Sequence, residues 1–370
     1  MPADPSAVSH AVLPSVEQID PEEWRRLFGD PAEGRDFFRT LEASRLEGFS
    51  FRYVVVRTGS RARLIAPIFW SDFDLGIAAP GGVQKALGAL RGVFPRLLIA
   101  RTLFCGSPFG EMGMIGVEPA SPDQPALVAE LVRAMEGVCR EQGLALMFFK
   151  DFPASAAGLL ESLAERGFFG GASLPNVVLP LPYRAMPEYL ASLSANARKD
   201  LRRKVKKTLQ AGRLEVRVAD NVADLIAPVY DLYLNTYHAG TVRFEKLTRE
   251  YFLEVGRIMP GEARFFLFHL DGRLVCFNLC FLHGDQLIDK FIGLDYTVAR
   301  RLNLYFYTWH HNVEWCLAHG VRQYQVGQTD HEAKVRLGGK LVPLYFQARH
   351  TNPWLNGPLR VAARFLAPRA

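Results

Sequence analysis

Two runs of apolar, largely β-branched residues lie close together in the first half of the chain, with a short polar turn between them. The segment FRYVVVRTGSRARLIAPIFW, residues 51–70, places Thr58, Gly59 and Ser60 between the runs. Apolar runs on either side of a glycine-containing turn predict a β-hairpin. Ahead of them, residues 21–44 predict two short helices, since Pro21 followed by two glutamates favours a helix start.

A helical period follows in LVAELVRAMEGVCREQG, residues 127–143. Gly143 is expected to end this helix, and the apolar segment LALMFFKD after it predicts a buried strand. The apolar positions that fall on one face of the helix are Leu127, Leu131, Met135 and Val138.

The second half of the chain repeats this plan. Residues 263–296 predict three strands, separated by turns at Asp271-Gly272 and Gly284-Asp285. The segment LYFYTWHHNVEWCLAHG then predicts a helix, and VRQYQVGQ a further strand. Both predicted helices carry a cysteine four residues before the glycine that ends them, Cys139 before Gly143 and Cys316 before Gly320. Matching features in the same order support an internal duplication.

A chain of 370 residues exceeds the ~250–300 residues at which a single hydrophobic core stops growing, so we expect two domains. The proline-punctuated segment LPLPYRAMP, residues 179–187, predicts the boundary. The predicted fold class is α/β with mixed sheets. The expected divisions are a flexible leader at 1–18, an N-terminal domain at 19–182, a C-terminal domain with the functional site at 183–351, and a tail at 352–370.

Charge and cysteine content narrow the class of protein. The net charge of +6 and the pI of about 9.1 favour acidic partners such as phosphates, nucleic acid or an anionic membrane face. Five cysteines without a CxxC pair predict reduced, buried thiols. The first residues lack the features of a signal peptide, and no run of ~18 apolar residues predicts a transmembrane helix. We therefore expect a cytoplasmic protein.

One helix is strongly basic. In SANARKDLRRKVKKTLQA, residues 194–211, seven of the ten residues at 198–207 are Arg or Lys. Such a face is either simply solvated or a docking surface for a polyanion, for which coenzyme A phosphates, tRNA and acidic lipid are the alternatives. The residues that we expect to bind substrate here are Arg202, Arg203 and Lys206.

Two segments carry a family resemblance. LSANARKDLRRKVKKTLQAG resembles the basic helix that opens the C-terminal half of FemAB-like members of the GNAT superfamily. YQVGQTDHEAKVRLGGKLVPL is similar to a strand-and-loop motif of the same family, and weaker similarities run through the first half. The resemblance implies two GNAT-like domains in tandem and transfer of an acyl or aminoacyl group to an amine. The positions that match the second motif are Gly327, Gln328, Thr329, Lys334, Leu337 and Gly338.

Two departures from the sequence patterns of related proteins bear on which acyl donor this chain uses. Simple acetyltransferases have a glycine-containing pyrophosphate loop where this chain has VARRLNLYF, and relatives that use aminoacyl-tRNA often have a helical-hairpin insertion that does not fit between residues 212 and 262. We expect an N-acyltransferase that uses an acyl-CoA or acyl-carrier-protein thioester and an amine acceptor. The alternatives are an aminoacyl-tRNA-dependent transferase, which would make tRNA a partner, and a non-catalytic GNAT-like binding module.

The predicted reaction centre is the loop after the strand VRQYQV. Amide formation needs a base for the attacking nitrogen and an acid for the leaving group. Histidine ordinarily has a pKa near ~6.5, so His331 is the expected base, and Asp330 is expected either to orient it or to contact the acceptor amine. Tyr305 is the candidate acid. A polar surface loop and a packed tyrosine are the structural alternatives for these residues.

The remaining site residues are expected to bind the donor and the acceptor. Arg300 and Arg301 precede a helix that we expect to begin near Asn303, and amides at a helix start bind phosphate. The resemblance implies that Lys334 is a charge anchor and that Gln328 and Thr329 contact substrate. No metal site is predicted, because the adjacent residues His310 and His311 point to different faces of a helix and have no partner at ligand spacing.

Overall fold

The structure of the protein is a computed structural model, which describes residues 8–76, 88–92, 94, 96–118, 123–240 and 245–366. The chain divides into two compact units. Unit 1 comprises Met1–Glu42, Glu47–Pro175 and Pro343–Ala370, and unit 2 comprises Ala43–Leu46 and Asn176–Val342.

Unit 1 is built on a mixed sheet in the order β1-β2-β3-β4-β6-β15-β7, with β5 beside β3. All neighbours are antiparallel except β4 and β6. Its strands are β1 (Val8–Leu13), β2 (Ser50–Thr58), β3 (Arg61–Asp74), β4 (Ile99–Cys105), β5 (Gly116–Val117), β6 (Leu146–Pro153), β7 (Phe169–Ala172) and β15 (Leu344–His350). Its helices are α1 (Pro21–Phe28), α2 (Arg35–Ala43), α3 (Gln124–Gln142), α4 (Ala157–Glu165) and α12 (Asn356–Leu366).

Unit 2 is built on a second mixed sheet in the order β14-β8-β13-β12-β11-β10-β9, in which only β12 and β13 are parallel. Its strands are β8 (Asn176–Pro180), β9 (Leu214–Ala219), β10 (Ala263–Leu270), β11 (Arg273–His283), β12 (Gln286–Leu294), β13 (Gln323–Gln325) and β14 (Lys340–Val342). Its helices are α5 (Met186–Ser192), α6 (Ala195–Leu209), α7 (Ile226–Ala239), α8 (Arg249–Ile258), α9 (Tyr296–Leu302), α10 (Leu304–Ala318) and α11 (His331–Arg336).

When the unit 2 sheet is read from β9 to β14, its strands correspond one by one to those of the unit 1 sheet read from β1 to β7. This correspondence confirms the predicted tandem arrangement of two similar α/β halves. In unit 1, α3 connects β4 to the parallel strand β6, and in unit 2, α9 and α10 connect β12 to the parallel strand β13. The two connections also end alike. The Leu144 amide donates to the Cys139 carbonyl, the Val321 amide donates to the Cys316 carbonyl, each at 2.9 Å, and the intervening glycines have positive φ, as a Schellman cap requires.

The unit boundaries differ from the divisions drawn on the sequence. Residues 8–13, which were placed in a flexible leader, form β1 and pair with β2, while residues 1–7 lie outside the described part. Unit 2 begins at Asn176 instead of residue 183. β15 and α12 belong to unit 1, whereas the sequence predicts residues 183–351 as the C-terminal domain and residues 352–370 as a tail. Local pattern identifies a strand but not the sheet in which it pairs.

The core of unit 2 that positions the site lies between its sheet and α10. Apolar side chains of β10, β11, β12 and β13 pack against one face of the helix, with α6 packed alongside it. This layer includes Phe266, Cys276, Leu287, Trp309, Val313 and Tyr324, all of them buried. Within the described ranges, every helix is too short or too polar to cross a lipid bilayer.

Candidate active site

The parallel strands β12 and β13 separate soon after they begin, and the opening between them is called the fork here. β13 pairs with β12 only at Gln286–Ile288. β12 continues to Leu294, whereas the chain after β13 turns toward β8, where the Val326 amide donates to the Val177 carbonyl at 2.9 Å. A crevice at the carboxyl ends of parallel strands is a common place for a ligand.

In unit 1, a loop occupies the corresponding place beside β6. β4 ends at Cys105, the residue at which its pairing with β6 also ends. The loop that follows folds back on β6, and the Gly113 amide donates to the Asp151 carbonyl at 2.8 Å. A Cβ atom on Gly113 would lie 2.2 Å from the Lys150 carbonyl oxygen, so this loop packs closely against the strand. The parallel strands thus separate in unit 2, and the location of the site in this unit stays a prediction.

The connection from β12 leads through α9 to the start of α10. Asn303 has a left-handed conformation, φ 54°, and turns the chain from α9 into α10. Arg300 and Arg301 lie in the last turn of α9 and are exposed. A short helix, instead of a glycine-rich loop, thus occupies the place that simple acetyltransferases use for pyrophosphate. Phosphate binding by the two arginines stays a prediction.

Three of the predicted site residues carry buried polar atoms without a hydrogen-bond partner in the described part of the chain. These atoms are Asn303 Nδ2, Tyr305 Oη and Gln328 Nε2. Buried polar groups are normally paired, and leaving one unpaired costs about 1–3 kcal/mol. Buried donors that lack a protein partner are suited to a binding site, because a bound ligand can supply the missing hydrogen-bond acceptors.

Tyr305 is held close to two carboxylates. Burial raises the pKa of its hydroxyl above the ordinary value, and the negative charges of Asp330 and Asp289 raise it further. The hydroxyl therefore stays protonated at neutral pH and is available as a donor. Tyr305 and Asp330, two of the three residues predicted to be catalytic, are thus within electrostatic range of each other.

The loop after β13 is fixed by its own backbone and by a buried lysine. Gly327 has φ 75° and Asp330 φ 53°, and His331, half-buried, begins α11. Lys334 is only 6% exposed, and its ammonium group donates to the Val326 carbonyl. This contact anchors the loop to the end of β13. Binding of a substrate anion by Lys334, and base catalysis by His331, stay predictions, as does substrate contact by the exposed Thr329.

The predicted basic helix is α6, which begins at a cap where the Ala197 amide donates to Ser194 Oγ. Ala197, Leu201, Val205 and Thr208 are buried. Asp200 forms ion pairs with Lys204, at 2.8 Å, with Arg203, and with Arg336 of α11. These partners lower the pKa of the Asp200 carboxyl, and the hydrogen bond from Lys204 has the largest effect.

Three cations of α6 have no such pairing. Arg202, Lys206 and Lys207 are exposed and have no acidic partner in the part of the chain that the structure describes. Of the three residues predicted to bind substrate, Arg203 thus has an intramolecular partner, and the other two do not. A polyanion would meet the positive charges of Arg202, Lys206 and Lys207.

A buried polar network that the sequence pattern did not predict surrounds Asp289 of β12. Asn278 Nδ2 donates to Asp289 Oδ1 at 2.6 Å, and the Tyr324 hydroxyl donates to Asp289 Oδ2 at 2.8 Å. Asn312 of α10 donates to Asn278 and to Tyr324. The available signal was polar residues at inward positions of apolar strands, Asn278 between Cys276 and Cys280 in VCFNLCF.

The cysteines are buried and free, as expected, and burial raises the pKa of Cys105. That thiol is protonated at neutral pH and unsuited to nucleophilic attack. Among the described residues, no three His, Cys, Asp or Glu side chains are grouped as a metal ion would require.

Comparisons with known proteins agree with this architecture. The family model for the acetyltransferase (GNAT) domain matches residues 195–335. Similar solved structures include FemX, which is 12% identical with a TM-score of 0.56 and covers 96% of this chain and 99% of that one. A tandem GNAT protein from the clavulanic acid biosynthesis pathway is 16% identical, with a TM-score of 0.57 and coverage of 93% and 98%.

The C-terminal domain of a putative lysylphosphatidylglycerol synthetase from Agrobacterium fabrum is also similar, at 12% identity and a TM-score of 0.55, with coverage of 92% and 96%. At these identities the likeness concerns the fold. A comparison with curated protein sequences finds no match. Together, the domain match and the fold confirm the predicted tandem GNAT architecture and the acyltransferase class.

Proposed function

Starting from the premise that this chain is an acyltransferase of the GNAT superfamily with two halves in tandem, we propose that it transfers an acyl group from a thioester to a primary amine at the fork of unit 2. The thioester is an acyl-CoA or an acyl carrier protein, and the product is an amide. The buried free thiols support action in a reducing compartment, for which we propose the cytoplasm.

The observation that carries this proposal is the set of unpaired donors beside the fork, Asn303 Nδ2, Tyr305 Oη and Gln328 Nε2. Attack on a thioester carbonyl places negative charge on its oxygen, and donors fixed in advance stabilise that charge. Asn303 and Gln328 are assigned to the carbonyl oxygen. Tyr305, kept protonated by burial and by its neighbouring carboxylates, is assigned to the departing sulfur.

The unpaired edge of β12 supports a thioester carried on an extended arm. Between Asp289 and Gly293, no strand of the described part of the chain pairs with β12 on its β13 side, while the Leu294 amide donates to Thr236 Oγ1. An extended chain with amide groups can bond to such an edge as an added strand would, and the pantetheine arm shared by coenzyme A and carrier proteins has two amides. His331 is assigned to take the first proton from the acceptor ammonium, with Asp330 as its orienting group.

An aminoacyl-tRNA donor is the second candidate, and three exposed cations of α6 favour it. Arg202, Lys206 and Lys207 present three positive charges without acidic partners in the described part. Arginine and lysine clusters of this kind bind nucleic-acid phosphates with strong dependence on salt. The folds of FemX and of the lysylphosphatidylglycerol synthetase are similar to that of this chain. This similarity is the second reason to test an aminoacyl-tRNA donor.

A thermal-shift screen with acyl-CoAs, acyl carrier protein and charged tRNA tests the two donors. A ligand present at 100 times its Kd stabilises the folded state by ~2.7 kcal/mol. We expect stabilisation by a thioester, followed by amine-dependent release of free thiol. Stabilisation by charged tRNA alone, with aminoacyl transfer to an amine, would replace the thioester proposal by the second candidate.

The reaction-centre assignment is tested on the same assay. His331→Ala is expected to lower kcat at least tenfold, since loss of a general base commonly costs ~10²–10⁴ in rate. If Asp330→Asn is inactive while His331→Ala is near normal, the carboxylate is the base. If both variants keep the wild-type rate, the loop has a structural role.

A further inference from the structure

Large apolar side chains are exposed at one edge of the unit 1 sheet, the edge at which β3 and β15 end and β4 and β6 begin. Just before β6, the Ala145 amide donates to the Arg101 carbonyl, and just after β15, the Thr351 amide donates to the Ala145 carbonyl, each at 2.9 Å. These two bonds link the start of β4 to the end of β15. The exposed apolar residues here are called the apolar rim and comprise Leu90, Phe94, Leu98, Ile99, Trp354 and Leu355.

The first segment of the rim is fixed to the end of β3. The Leu75 amide donates to the Leu98 carbonyl at 2.8 Å. Arg91 donates to Asp74 at 2.7 Å and to the Leu97 carbonyl at 3.1 Å. These bonds hold the segment in place while its apolar side chains face solvent.

The second segment of the rim follows β15. The Trp354 amide donates to Asn352 Oδ1 at 3.1 Å, and the Trp354 side chain is 88% exposed. Leu359 of α12 packs on a small buried cluster against which Leu75 also packs, so both segments adjoin the same part of unit 1. Exposed apolar groups that lie together in this way mark a surface for a partner.

The charge of the two segments is positive. Residues 75–110 contain four Lys or Arg and residues 351–370 contain three Arg, and neither range contains Asp or Glu. Arg96, Arg101 and Arg360 are exposed and form no ion pair with any residue that the structure describes. Of the two aspartates at the end of β3, Asp74 pairs with Arg91, and Asp72 lies opposite Arg101 in the strand register.

This combination of side chains matches the interface of an anionic lipid bilayer. Tryptophan and phenylalanine are favoured at the boundary between headgroups and acyl chains, and arginine is attracted by acidic headgroups. A second copy of the chain is a poorer partner, because a contact of one rim with another would bring the arginines of both copies together. Charge complementarity therefore favours a lipid surface over self-association.

We propose that the apolar rim docks unit 1 on an anionic lipid bilayer. Phe94 and Trp354 enter the boundary between headgroups and acyl chains, and Arg96, Arg101 and Arg360 contact lipid phosphates. The rim belongs to unit 1 and lies outside the fork, so the proposal goes beyond the proposed function and is independent of the acyl donor.

Vesicle flotation with the full chain gives the first test. One set of vesicles has equal parts of phosphatidylglycerol and phosphatidylcholine, and the other has phosphatidylcholine alone. We expect binding to the anionic vesicles at low salt, weaker binding as salt screens the charges, and much weaker binding to phosphatidylcholine. Absence of binding to the anionic vesicles at low salt would overturn the proposal.

A double variant tests the apolar part of the surface. Phe94→Ser combined with Trp354→Ser is expected to weaken binding to the anionic vesicles at least tenfold, because two aromatic side chains no longer leave water. Leu341→Ser replaces an exposed apolar residue of β14 in unit 2 and is the matched control, which should bind as the wild type does. Thermal unfolding checks that both variants are folded. Wild-type affinity in the folded double variant would overturn the proposal.

Tryptophan fluorescence tests whether Trp354 enters the bilayer. All five tryptophans lie in the described part of the chain, and Trp354 alone among them is exposed. Vesicles with brominated acyl chains are expected to quench its emission, and Trp354→Phe is expected to keep binding and lose the quenching. Quenching that persists in Trp354→Phe, or bound wild-type protein without quenching, would overturn the proposal.

Two further outcomes would assign the surfaces differently. The variant with Arg202→Glu, Lys206→Glu and Lys207→Glu is expected to keep the quenching by brominated vesicles. If it loses vesicle binding while the double variant of the rim keeps it, lipid docks on α6 and the proposal is overturned. Sedimentation without lipid is expected to give a monomer, and a dimer that the double variant of the rim dissociates would overturn the proposal in favour of self-association.

Discussion

At the residue scale, Tyr305 is where sequence and structure meet most closely. The sequence predicts it as the candidate acid at a helix start, with packing as the alternative. The structure adds that its hydroxyl is buried, unpaired within the described residues, and close to Asp330 and Asp289. Neither property has a sequence signature, because both depend on contacts between α10, β12 and the loop after β13.

Tyr305→Phe is expected to lower the rate of amide formation at least tenfold, because it removes the proton donor for the leaving group. Since the pKa of Tyr305 is raised, the hydroxyl stays protonated across the working range. The ratio of wild-type to variant kcat/KM should therefore be constant from about pH 6 to about pH 9. If this ratio changes with pH within this range, the proton donor for the leaving group is a residue other than Tyr305.

Lys334 makes a contact that the motif match did not predict. The resemblance implied a charge anchor for substrate, whereas the structure also uses this ammonium group to hold the Val326 carbonyl. Lys334→Met is expected to destabilise the protein by about 1–3 kcal/mol, because a buried carbonyl loses its donor. Urea unfolding measures this, with the exposed Lys340→Met as the control that should change little. If Lys334→Met has the same free energy of unfolding as the wild type, Lys334 does not stabilise the loop, and its role is substrate binding alone.

At the element scale, most helices and strands were predictable because periodicity and turn residues are local properties. The hairpin of β2 and β3, the helices α3 and α10, and the three strands β10 to β12 lie where the pattern places them. The helix α9 was not predicted as separate from α10. Its end depends on Asn303, a non-glycine residue with positive φ, and sequence pattern seldom marks such a position.

The exposed face of α6 yields a prediction that the structure sharpens. Arg203 pairs with Asp200, so the most informative charge reversal combines Arg202→Glu, Lys206→Glu and Lys207→Glu. Surface changes of this kind usually alter stability by less than ~0.5 kcal/mol each, and binding of the anionic donor should weaken strongly at low salt. Arg322→Glu, an exposed residue beside β13, is the control. Unchanged donor affinity in the triple variant would make this face simply solvated.

A pair of glycine substitutions tests the packing of two other elements. Gly339 lies where a Cβ atom would be 2.5 Å from Val177 Cγ1, so Gly339→Ala should destabilise the loop that follows α11, by ~1–3 kcal/mol. Gly137 lies inside α3 with nothing within 4 Å of its Cβ position, so Gly137→Ala should stabilise by ~0.5–1 kcal/mol. Thermal unfolding measures both, and the same sign for both would contradict the described packing.

At the scale of the whole molecule, the repeat was visible in sequence but its division into units was not. Two cysteine-to-glycine segments indicated the duplication, and both form the same cap. Strand membership could not be predicted, because β8 belongs to the sheet of unit 2 and β15 to that of unit 1. The structural difference between the two halves could not be predicted from the sequence either. Only contacts show that a loop packs beside β6 in unit 1 while β12 and β13 separate in unit 2.

Hydrogen–deuterium exchange with and without a bound acyl-CoA tests most directly the claim that the fork of unit 2 is the site of acyl transfer. Amides that become bonded to a ligand or shielded by it exchange more slowly. We predict slower exchange at residues 289–294 and 303–308 and around Gln328, with no change at residues 106–115 of unit 1. Slower exchange confined to unit 1, or bound acyl-CoA that leaves 289–294 and 303–308 unchanged, would contradict the account.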